Sequence, residues 1–522
     1  MTDRYDVIVV GAGHNGLVCA SLLAKAGKRV LVLEAAASPG GAACTRAFAA
    51  GFSVSAGAHF LSQFPKALIE ELQLERHGLR MAATNLATVS LQADGRHLRL
   101  DGGHAQADGL TSADREAYAT FHEETAAYAR ILASAFGRRP PRLVDSDWRD
   151  KLGLLKLGWD IRRLGRERMR EVLRIGLMNI YDLATERFSD ERLRAAVGMD
   201  AVIGTSMGPR APNTVMSYLY RRTADAHGYA GPSIPAGGMG AFAQALAASA
   251  AARGVALRTG ARVARIDITD YRSSGVTLES GEQIHAGIVV SNADPKTTLA
   301  GLVGYRHLDA GFVRRVEGIR MRGMAAKLHL ALDALPQFPG LDPAHCGDRL
   351  LLCPPLDALE EAMNPSKYRQ YSPEPVIEIS IPSVHDASLA PAGKHVLCAV
   401  VQYAPYDLKG GWTAEARADF QSRIMARLAT VAPGIGKQVL ASELLVPPDL
   451  EREFGMSGGH WHHGEISVDQ LLMMRPVVLW SQYAMPVDGL WLCGAGAHPG
   501  GGIMGLAGRN CALEIIRRGN AA

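Results

Sequence analysis

The sequence predicts an α/β fold in which a Rossmann-like domain carries an inserted α+β domain. The first observation is a βαβ pattern, because residues 5–10 and 28–34 are apolar runs typical of buried parallel strands. Residues 14–26 between them have the pattern of a helix that ends near Gly27. The second observation is an apolar run at residues 490–493, followed by a glycine-rich loop and a helix. Segments from both ends of the chain are therefore predicted to share one domain.

The chain is long enough for more than one domain, because domains usually contain roughly 100–200 residues and this chain has 522. The predicted helices of the middle region are residues 112–136, 150–178, 190–203 and 414–431. Short predicted strands separated by turns are residues 255–258, 262–266 and 288–291. We predict a discontinuous Rossmann-like domain of residues 1–70, 232–300 and 465–522, and a substrate domain of residues 71–231 and 301–464.

Composition and charge exclude several classes of protein. Hydrophobic residues make up 48% and charged residues 21%, which is typical of a globular chain with large cores. A net charge of +4 is small for this length and gives no case for nucleic-acid binding. No apolar run approaches the roughly 18 residues of a membrane-spanning helix. Residues 1–5 lead directly into a strand and the seven cysteines are scattered, so we expect no signal peptide, reduced thiols and a cytoplasmic location.

The first glycine loop lies directly after the first predicted strand and opens the first predicted helix. Its glycines have separate roles: Gly11 permits a tight turn, Gly13 lets the backbone approach a pyrophosphate, and Gly16 lets helix and strand pack closely. The helix starts at His14 and Asn15, so free N–H groups would face the phosphates. A lone GxGxxG motif is weak evidence, but its place between strand and helix predicts a dinucleotide site.

Glu34 closes the second predicted strand. A carboxylate there can accept hydrogen bonds from both ribose hydroxyls and would repel a 2′-phosphate. A second glycine loop follows within residues 39–44 and contains the pair Gly40 and Gly41. Because a loop at this point would reach the pyrophosphate or the flavin, its position after Glu34 favours FAD over NAD.

A third glycine loop follows the last predicted strand. Six of the twelve residues from Gly494 to Gly505 are glycines, which indicates backbone pressed against a flat ligand. N–H groups of residues 502–504 at a helix start would stabilise negative charge on a reduced flavin. The residues of this loop that we expect to contact FAD are Gly494, Gly501, Gly502 and Ile503.

Further motifs accompany the glycine loops. They are Gly458-Gly-His-Trp-His-His463-Gly, Asp469-Gln-Leu, Arg475-Pro476, and Gly-Ala-His498-Pro-Gly-Gly-Gly with Arg509-Asn510. Together these motifs resemble those of the phytoene-desaturase-related flavoproteins, the carotenoid/retinoid oxidoreductase family, along the whole chain. The resemblance implies a fold of the amine oxidase and phytoene desaturase type with noncovalent FAD. It also implies that the Val263 backbone faces the adenine, and that His463 and His498 line the flavin pocket and act in catalysis.

The resemblance implies an FAD-dependent oxidoreductase whose substrate is a long apolar, isoprenoid-like small molecule. The expected reaction is dehydrogenation by hydride transfer to flavin N5, or a related ketolation or isomerisation. Two alternatives stay open: a flavin oxidase of small amines, and a flavin-bearing regulatory or scaffold protein with little turnover. Two departures weaken the case for amine-oxidase chemistry. Ala42 stands where those enzymes often have arginine, and residues 493–496 contain no acid after the last strand.

Close histidines raise the question of a metal site. His460, His462 and His463 are near one another in sequence, but no cysteine or carboxylate completes a familiar ligand spacing beside them. We therefore expect no metal. These histidines, and His59 near the second glycine loop, are more commonly packed or hydrogen-bonded.

The segment from Lys151 to Arg174 carries eight basic and three acidic residues, a net charge of +5. Within it, Leu157, Ile161 and Leu164 follow helical spacing. A basic amphipathic helix can lie in an anionic lipid interface with its apolar side down, so we expect peripheral contact with the inner face of a membrane. The alternative is a solvated basic helix packed on the substrate domain. The resemblance implies a mitochondrial location for eukaryotic relatives, and the oligomeric state stays open.

Overall fold

The computed structural model of the protein describes residues 5–519. The expectation of no signal peptide concerns the first four residues, which lie outside the described part of the chain. The predicted α/β class is confirmed by a five-stranded parallel sheet made from distant segments. Its strands, in spatial order, are Ala256–Arg258, Val30–Leu33, Val7–Val10, Ile288–Ser291 and Leu490–Leu492. The last strand of the chain thus lies in the same sheet as the first.

Helices cover this parallel sheet. Every residue of Val7–Val10 and Val30–Leu33 is buried, as expected for parallel strands with both faces covered. The helices His14–Lys25 and Leu506–Gly519 pack against each other, and Met239–Ala251 also contacts His14–Lys25. A three-stranded antiparallel sheet follows in the chain, with strands Val263–Thr269, Arg272–Leu278 and Gln283–His285.

A second large sheet has eight strands and is mostly antiparallel. In spatial order they are Val439–Leu445, Ala325–Leu332, His395–Gln402, Val376–Ser380, Arg349–Leu352, Thr88–Ser90, Leu98–Asp101 and His104–Gln106. The strands from the first and second halves of the chain join where Arg349–Leu352 pairs in parallel with Thr88–Ser90. The domain boundaries given above remain a prediction.

The other described elements include further helices and two short two-stranded antiparallel sheets. The helices are Lys66–Glu71, Ser112–Phe136, Ile180–Arg187, Glu191–Val202, Thr214–Ala226, Ala310–Glu317, Leu356–Met363, Ala414–Val431, Ile435–Gln438 and Pro447–Phe454. Thr45–Ala49 pairs with Phe52–Ser55, and Met81–Ala83 pairs with Ile234–Pro235. The bounds predicted for residues 112–136 and 414–431 are confirmed.

The basic segment differs from its prediction. The single helix predicted for residues 150–178 is wrong, because the segment forms two helices, Trp148–Arg162 and Arg166–Ile175. The first helix begins two residues earlier, where the carboxylates of Asp147 and Asp150 form a capping box. Gly165 breaks the helical run with a φ of +84°. No helix within residues 5–519 is both long and apolar enough to cross a bilayer.

Candidate functional site

One cavity of about 590 Å³ joins the glycine loops to the eight-stranded sheet. One end is lined by residues of the first two glycine loops, by Glu34 and by Val263, the first residue of its strand. The other end reaches side chains of the second large sheet and of the helices packed on it, among them Lys327. The two ends are continuous, so a cofactor and a substrate can meet inside one cavity.

The first glycine loop forms a closed turn at the end of the first strand. A Cβ on Gly16 would lie 2.2 Å from the carbonyl oxygen of Gly11, so Gly16 packs behind the cavity and does not line it. A Cβ on Gly13 would lie 2.6 Å from Nδ2 of Asn292. The predicted residues of this loop that do line the cavity are Gly11, Gly13, His14 and Asn15. Their backbone can therefore approach a pyrophosphate closely.

Glu34 links the end of the second strand to the first glycine loop. Its Oε2 accepts a hydrogen bond from the N–H of Ala12 at 2.7 Å, and its Oε1 accepts one from Ala36 at 2.8 Å. The residue is only 8% exposed, and it lines the cavity. Since a carboxylate has about four lone-pair sites, two remain for ribose hydroxyls.

The second glycine loop lies beside the first. The N–H of Gly40 donates to the carbonyl oxygen of Ala12 at 2.9 Å, and a Cβ on Gly41 would lie 3.7 Å from Cα of Gly13. Both Gly40 and Gly41 line the cavity. Two backbone loops therefore form neighbouring parts of one wall of the cavity.

The third glycine loop contributes less of the wall than predicted. Gly502 and Ile503 line the cavity. Behind it, Gly494 packs against the backbone of Asn292, and Gly501 packs against the backbone of His462. The helix that follows begins at Leu506. The prediction that residues 502–504 present free N–H groups at a helix start is therefore wrong, and the N–H of Met504 donates to Gly502 at 2.9 Å.

Three histidines line the cavity near these loops, and each keeps one buried ring nitrogen without a hydrogen-bond partner within residues 5–519. They are His14 at Nε2, and His462 and His463 at Nδ1. Burial lowers the pKa of all three, that of His14 to about 4, so the rings are neutral at pH 7. Unpaired polar atoms in a buried cavity are normally satisfied by a ligand or water. This end of the cavity therefore fits the polar edge of a flavin ring.

His498 does not line the cavity, in contrast to the expectation for it. Its side chain is fully buried, and Nε2 donates to the carbonyl oxygen of Ala135 at 3.2 Å. The ring also packs edge-on against Phe136, with 6.1 Å between centroids. His498 thus ties the third glycine loop to the end of helix Ser112–Phe136, so the motif located it near the site without giving its orientation.

Arg475 organises the segment that carries the cavity histidines. Its guanidinium is buried and donates to backbone carbonyl oxygens, with burial lowering its pKa to about 10. The acceptors are His462, Gly464, Glu465, Gln470 and Ala495. Since Ala495 belongs to the third glycine loop, Arg475 holds that loop against the His460–His463 stretch.

The sequence did not predict a network of linked, mostly buried ionisable side chains on the cavity wall. Nζ of Lys327 donates to Nδ1 of His59 at 2.6 Å, and Nε2 of His59 donates to Glu378 at 3.2 Å. Arg349 then donates to Glu378 at 2.5 Å and to Asp200 at 2.6 Å. All five residues line the cavity. The feature of the sequence that could have indicated this network is a lysine inside the apolar strand Ala325–Leu332, because a buried charge needs partners.

Burial and neighbouring charges set the protonation states of the side chains in this network. It lowers the pKa of Lys327 to about 8 and that of His59 to about 4. The positive charge of Arg349 holds the pKa of Glu378 well below its usual value despite burial. At neutral pH the network therefore contains an ionised glutamate, a neutral histidine and a lysine that loses its proton only slightly above neutrality.

Many apolar side chains line the rest of the distal wall, together with the charged residues Arg221, Arg222 and Asp225. Its side chains include Leu86, Leu100, Ala196, Val197, Ala201, Ile203, Val400, Leu450, Phe454, Met456 and Trp461. Most of these side chains are buried in the core clusters of the helices and of the eight-stranded sheet. An apolar molecule in this part of the cavity would gain the hydrophobic free energy of leaving water.

The parallel sheet, the glycine loops and Glu34 define the class of the protein, a flavoprotein with FAD as its cofactor. It belongs to the flavin containing amine oxidoreductase family, whose profile matches residues 16–515. The pyridine nucleotide-disulfide oxidoreductase domain-containing protein 2 of Mus musculus is 34% identical over 99% of this chain and 94% of its own length. The hydroxyneurosporene desaturase of Rhodobacter capsulatus is 28% identical over 96% of this chain and 95% of its own length. The resemblance to phytoene-desaturase-related flavoproteins is thereby confirmed.

A solved structure supports the predicted fold type. Putrescine oxidase bound to putrescine aligns with a TM-score of 0.62 over 100% of both chains, at 15% sequence identity. The fold is therefore that of the FAD-dependent amine oxidases. The match to the flavin containing amine oxidoreductase family makes the protein an FAD-dependent oxidoreductase.

Proposed function

We propose that the protein dehydrogenates a long apolar, isoprenoid-like substrate. The observation that carries this proposal is a continuous cavity that runs from the FAD-binding loops to a wall with many apolar side chains. A substrate without polar groups cannot be held by directional hydrogen bonds, so it must be bound by contact with apolar side chains such as those of this wall. The similarity to a relative named as a hydroxyneurosporene desaturase supports the same substrate class.

In the proposed reaction, the cofactor accepts a hydride and a side chain of the protein accepts a proton. When bound, FAD supplies a two-electron acceptor that takes a hydride from a substrate carbon. Formation of a carbon–carbon double bond also requires loss of a proton from the neighbouring carbon. Lys327 is the proposed acceptor, because it lines the cavity and burial lowers its pKa to about 8. His59 holds the Lys327 amine in place through the 2.6 Å contact.

The charges on the wall argue against a small cationic amine as the substrate. The carboxylates of Asp200 and Glu378 are both engaged by Arg349, and Arg221 lies within 3.7 Å of each. An ammonium group at this wall would meet the guanidinium groups and Lys327 before it met a free carboxylate. A flavin oxidase of small amines is therefore the less favoured alternative.

The proposal is tested by reduction of the bound flavin without oxygen. Detergent-dispersed acyclic polyenes are mixed with the FAD-loaded protein, and the flavin absorbance is followed. We expect bleaching and a product lighter by two hydrogen atoms, detected by mass spectrometry. Putrescine and cyclohexylamine serve as the comparison substrates. Fast bleaching by either amine with none by any polyene would replace the proposal by an amine oxidase.

A flavin-bearing scaffold protein makes a different prediction. In that case neither class of substrate reduces the flavin, although dithionite does. Mass spectrometry of lipids that co-purify with the protein adds a second measurement. A bound apolar molecule is expected in the wild type and is expected to decrease when the apolar wall is altered by Val197→Asp, a residue of the distal end of the cavity.

A further inference from the structure

Exposed apolar side chains concentrate in one short part of the surface. Among the described residues, fifteen large hydrophobic side chains are exposed, and eight of them lie between positions 143 and 177. These eight are Leu143, Val144, Trp148, Leu152, Leu155, Trp159, Leu173 and Leu177. Single exposed hydrophobic residues are normal, but a local concentration marks an interaction surface.

Four of these side chains form a stripe on helix Trp148–Arg162. Trp148, Leu152, Leu155 and Trp159 are exposed by 64%, 52%, 68% and 60%. Successive helix residues are rotated by about 100°, so these four positions fall within an arc of about 60°. We call this set the apolar stripe. It faces away from the protein over the whole length of the helix.

Basic residues flank the apolar stripe on both sides. By the same rotation, Lys151 and Arg162 lie on one side of it, and Arg149, Lys156 and Arg163 lie on the other. All five are exposed, as are Arg166 and Arg170 on the next helix. None of these seven bases forms a salt bridge within residues 5–519.

The acidic residues nearby are mostly engaged elsewhere. Asp147 and Asp150 pair with Arg139, Asp160 lies 4.0 Å from Arg138, and Glu171 pairs with Arg174. The free charge beside the apolar stripe is therefore strongly positive. This arrangement differs from an ordinary solvated helix, in which bases and acids alternate and pair.

The predicted lipid-facing side of the segment is corrected by the structure. Leu157 and Ile161 are half-buried and lie on the opposite face of the helix from the apolar stripe. Leu164 follows the helix and packs against the core of the neighbouring helices. These residues attach the helix to the protein, while Trp148 and Trp159 lie on the free face.

We propose that helix Trp148–Arg162 docks on an anionic lipid surface, with the apolar stripe inserted among the lipids and the flanking bases at the headgroups. Tryptophan is favoured at the membrane interface, and long basic side chains can extend to headgroups beside a buried apolar stripe. A symmetric contact with a second copy would place these unpaired bases opposite one another, so lipid is the better occupant. The proposal does not depend on which substrate the flavin site oxidises.

The test is flotation of the FAD-loaded protein with vesicles. Phosphatidylcholine vesicles with and without phosphatidylglycerol are compared at low and high salt. We expect binding only with phosphatidylglycerol, weakened by salt. Each base near such a surface contributes roughly fivefold in affinity, so Lys151→Gln, Lys156→Gln and Arg163→Gln together should weaken binding on the order of a hundredfold. The charge control is Arg314→Gln with Arg315→Gln, two exposed bases on another helix.

The apolar contribution is tested separately. Leu152→Ser with Leu155→Ser should weaken binding by more than about tenfold. Tyr271→Ser with Tyr368→Ser, at side chains exposed by 76% and 74%, should leave it unchanged. Brominated lipids should quench a part of the tryptophan emission that disappears in Trp148→Phe with Trp159→Phe. An unchanged FAD content checks that each variant is folded.

Three outcomes would overturn the proposal. The first is wild-type protein that fails to float with phosphatidylglycerol vesicles at low salt. The second is binding that the basic and apolar variants leave unchanged. The third is light scattering that shows a lipid-free dimer of the wild type and a monomer of the Leu152→Ser, Leu155→Ser variant, since the stripe would then be covered by a second copy.

Discussion

The carboxylate of Glu34 closes the first glycine loop by accepting a hydrogen bond from the N–H of Ala12, 2.7 Å from Oε2. The same carboxylate lines the cavity. One side chain at the end of the second strand thus fixes the loop conformation and presents acceptor sites to a ribose. A substitution at this position tests both contributions.

Glu34→Gln should weaken FAD binding without unfolding the protein. The amide keeps one oxygen as an acceptor for a backbone N–H but loses the negative charge. Hydrogen bonds to charged groups are worth about 1.5–3 kcal/mol, so we expect a loss of roughly 10- to 150-fold in affinity. Titration of the apoprotein with FAD, followed by fluorescence, measures it. Glu282→Gln, an exposed carboxylate paired with Arg258, is the control. Equal affinity in all three proteins would exclude Glu34 from FAD binding.

Gly16→Ala should reduce both stability and FAD content. The new Cβ would lie 2.2 Å from the carbonyl oxygen of Gly11, and backbone on both sides cannot move without separating helix and strand. Such overpacking costs about 1–3 kcal/mol. Gly158→Ala is the matched control, because its Cβ would meet nothing within 4 Å. That variant should be more stable by up to about 1 kcal/mol. Thermal unfolding with FAD release as a second signal compares the two.

Arg475→Lys should loosen the third glycine loop. The guanidinium donates to several backbone carbonyl oxygens, including those of Gln470 and Ala495. An ammonium group cannot reach them all, and each buried carbonyl left unpaired costs about 1–3 kcal/mol. We expect a lower melting temperature and loss of FAD during gel filtration. Arg322→Lys, at an exposed position, should behave as wild type. Full FAD retention by Arg475→Lys would mean that the loop is held by other contacts.

The parts of the fold that the sequence predicted are those specified by consecutive residues. The first glycine loop, Glu34 and the second glycine loop occupy one short stretch, so their order and spacing identified a βαβ unit and its cofactor. Helix Ser112–Phe136 has the predicted bounds, and in the structure Thr111 caps its start and Gly137 follows its end. In these cases local chemistry and tertiary structure agree.

The parts that the sequence could not predict depend on contacts between distant segments. Lys327 and His59 are 268 residues apart and meet only because the loop after the second glycine loop lies against the eight-stranded sheet. Glu378 comes from yet another strand of that sheet. For His498 the motif predicted a place near the site but not the orientation of the ring. The hydrogen bond to Ala135 points the ring away from the cavity. Which helix face is exposed likewise depends on what packs beneath it, and so the apolar stripe was missed.

The rate of flavin reduction by substrate should rise with pH as Lys327 loses its proton. Only the neutral amine can accept a proton, and burial lowers the pKa of Lys327 to about 8. The rate should therefore be low below pH 8, rise through that value and level off above it.

Lys327→Met should slow reduction by roughly 10²- to 10⁴-fold, the usual contribution of a general base, and abolish the rise with pH. Lys327→Arg should also be slow because its group stays charged. Lys394→Met, at a partly exposed lysine that pairs with Asp333, should keep the wild-type profile. Stopped-flow absorbance across the pH range measures all four proteins, and an unchanged profile in Lys327→Met would show that another group takes the proton.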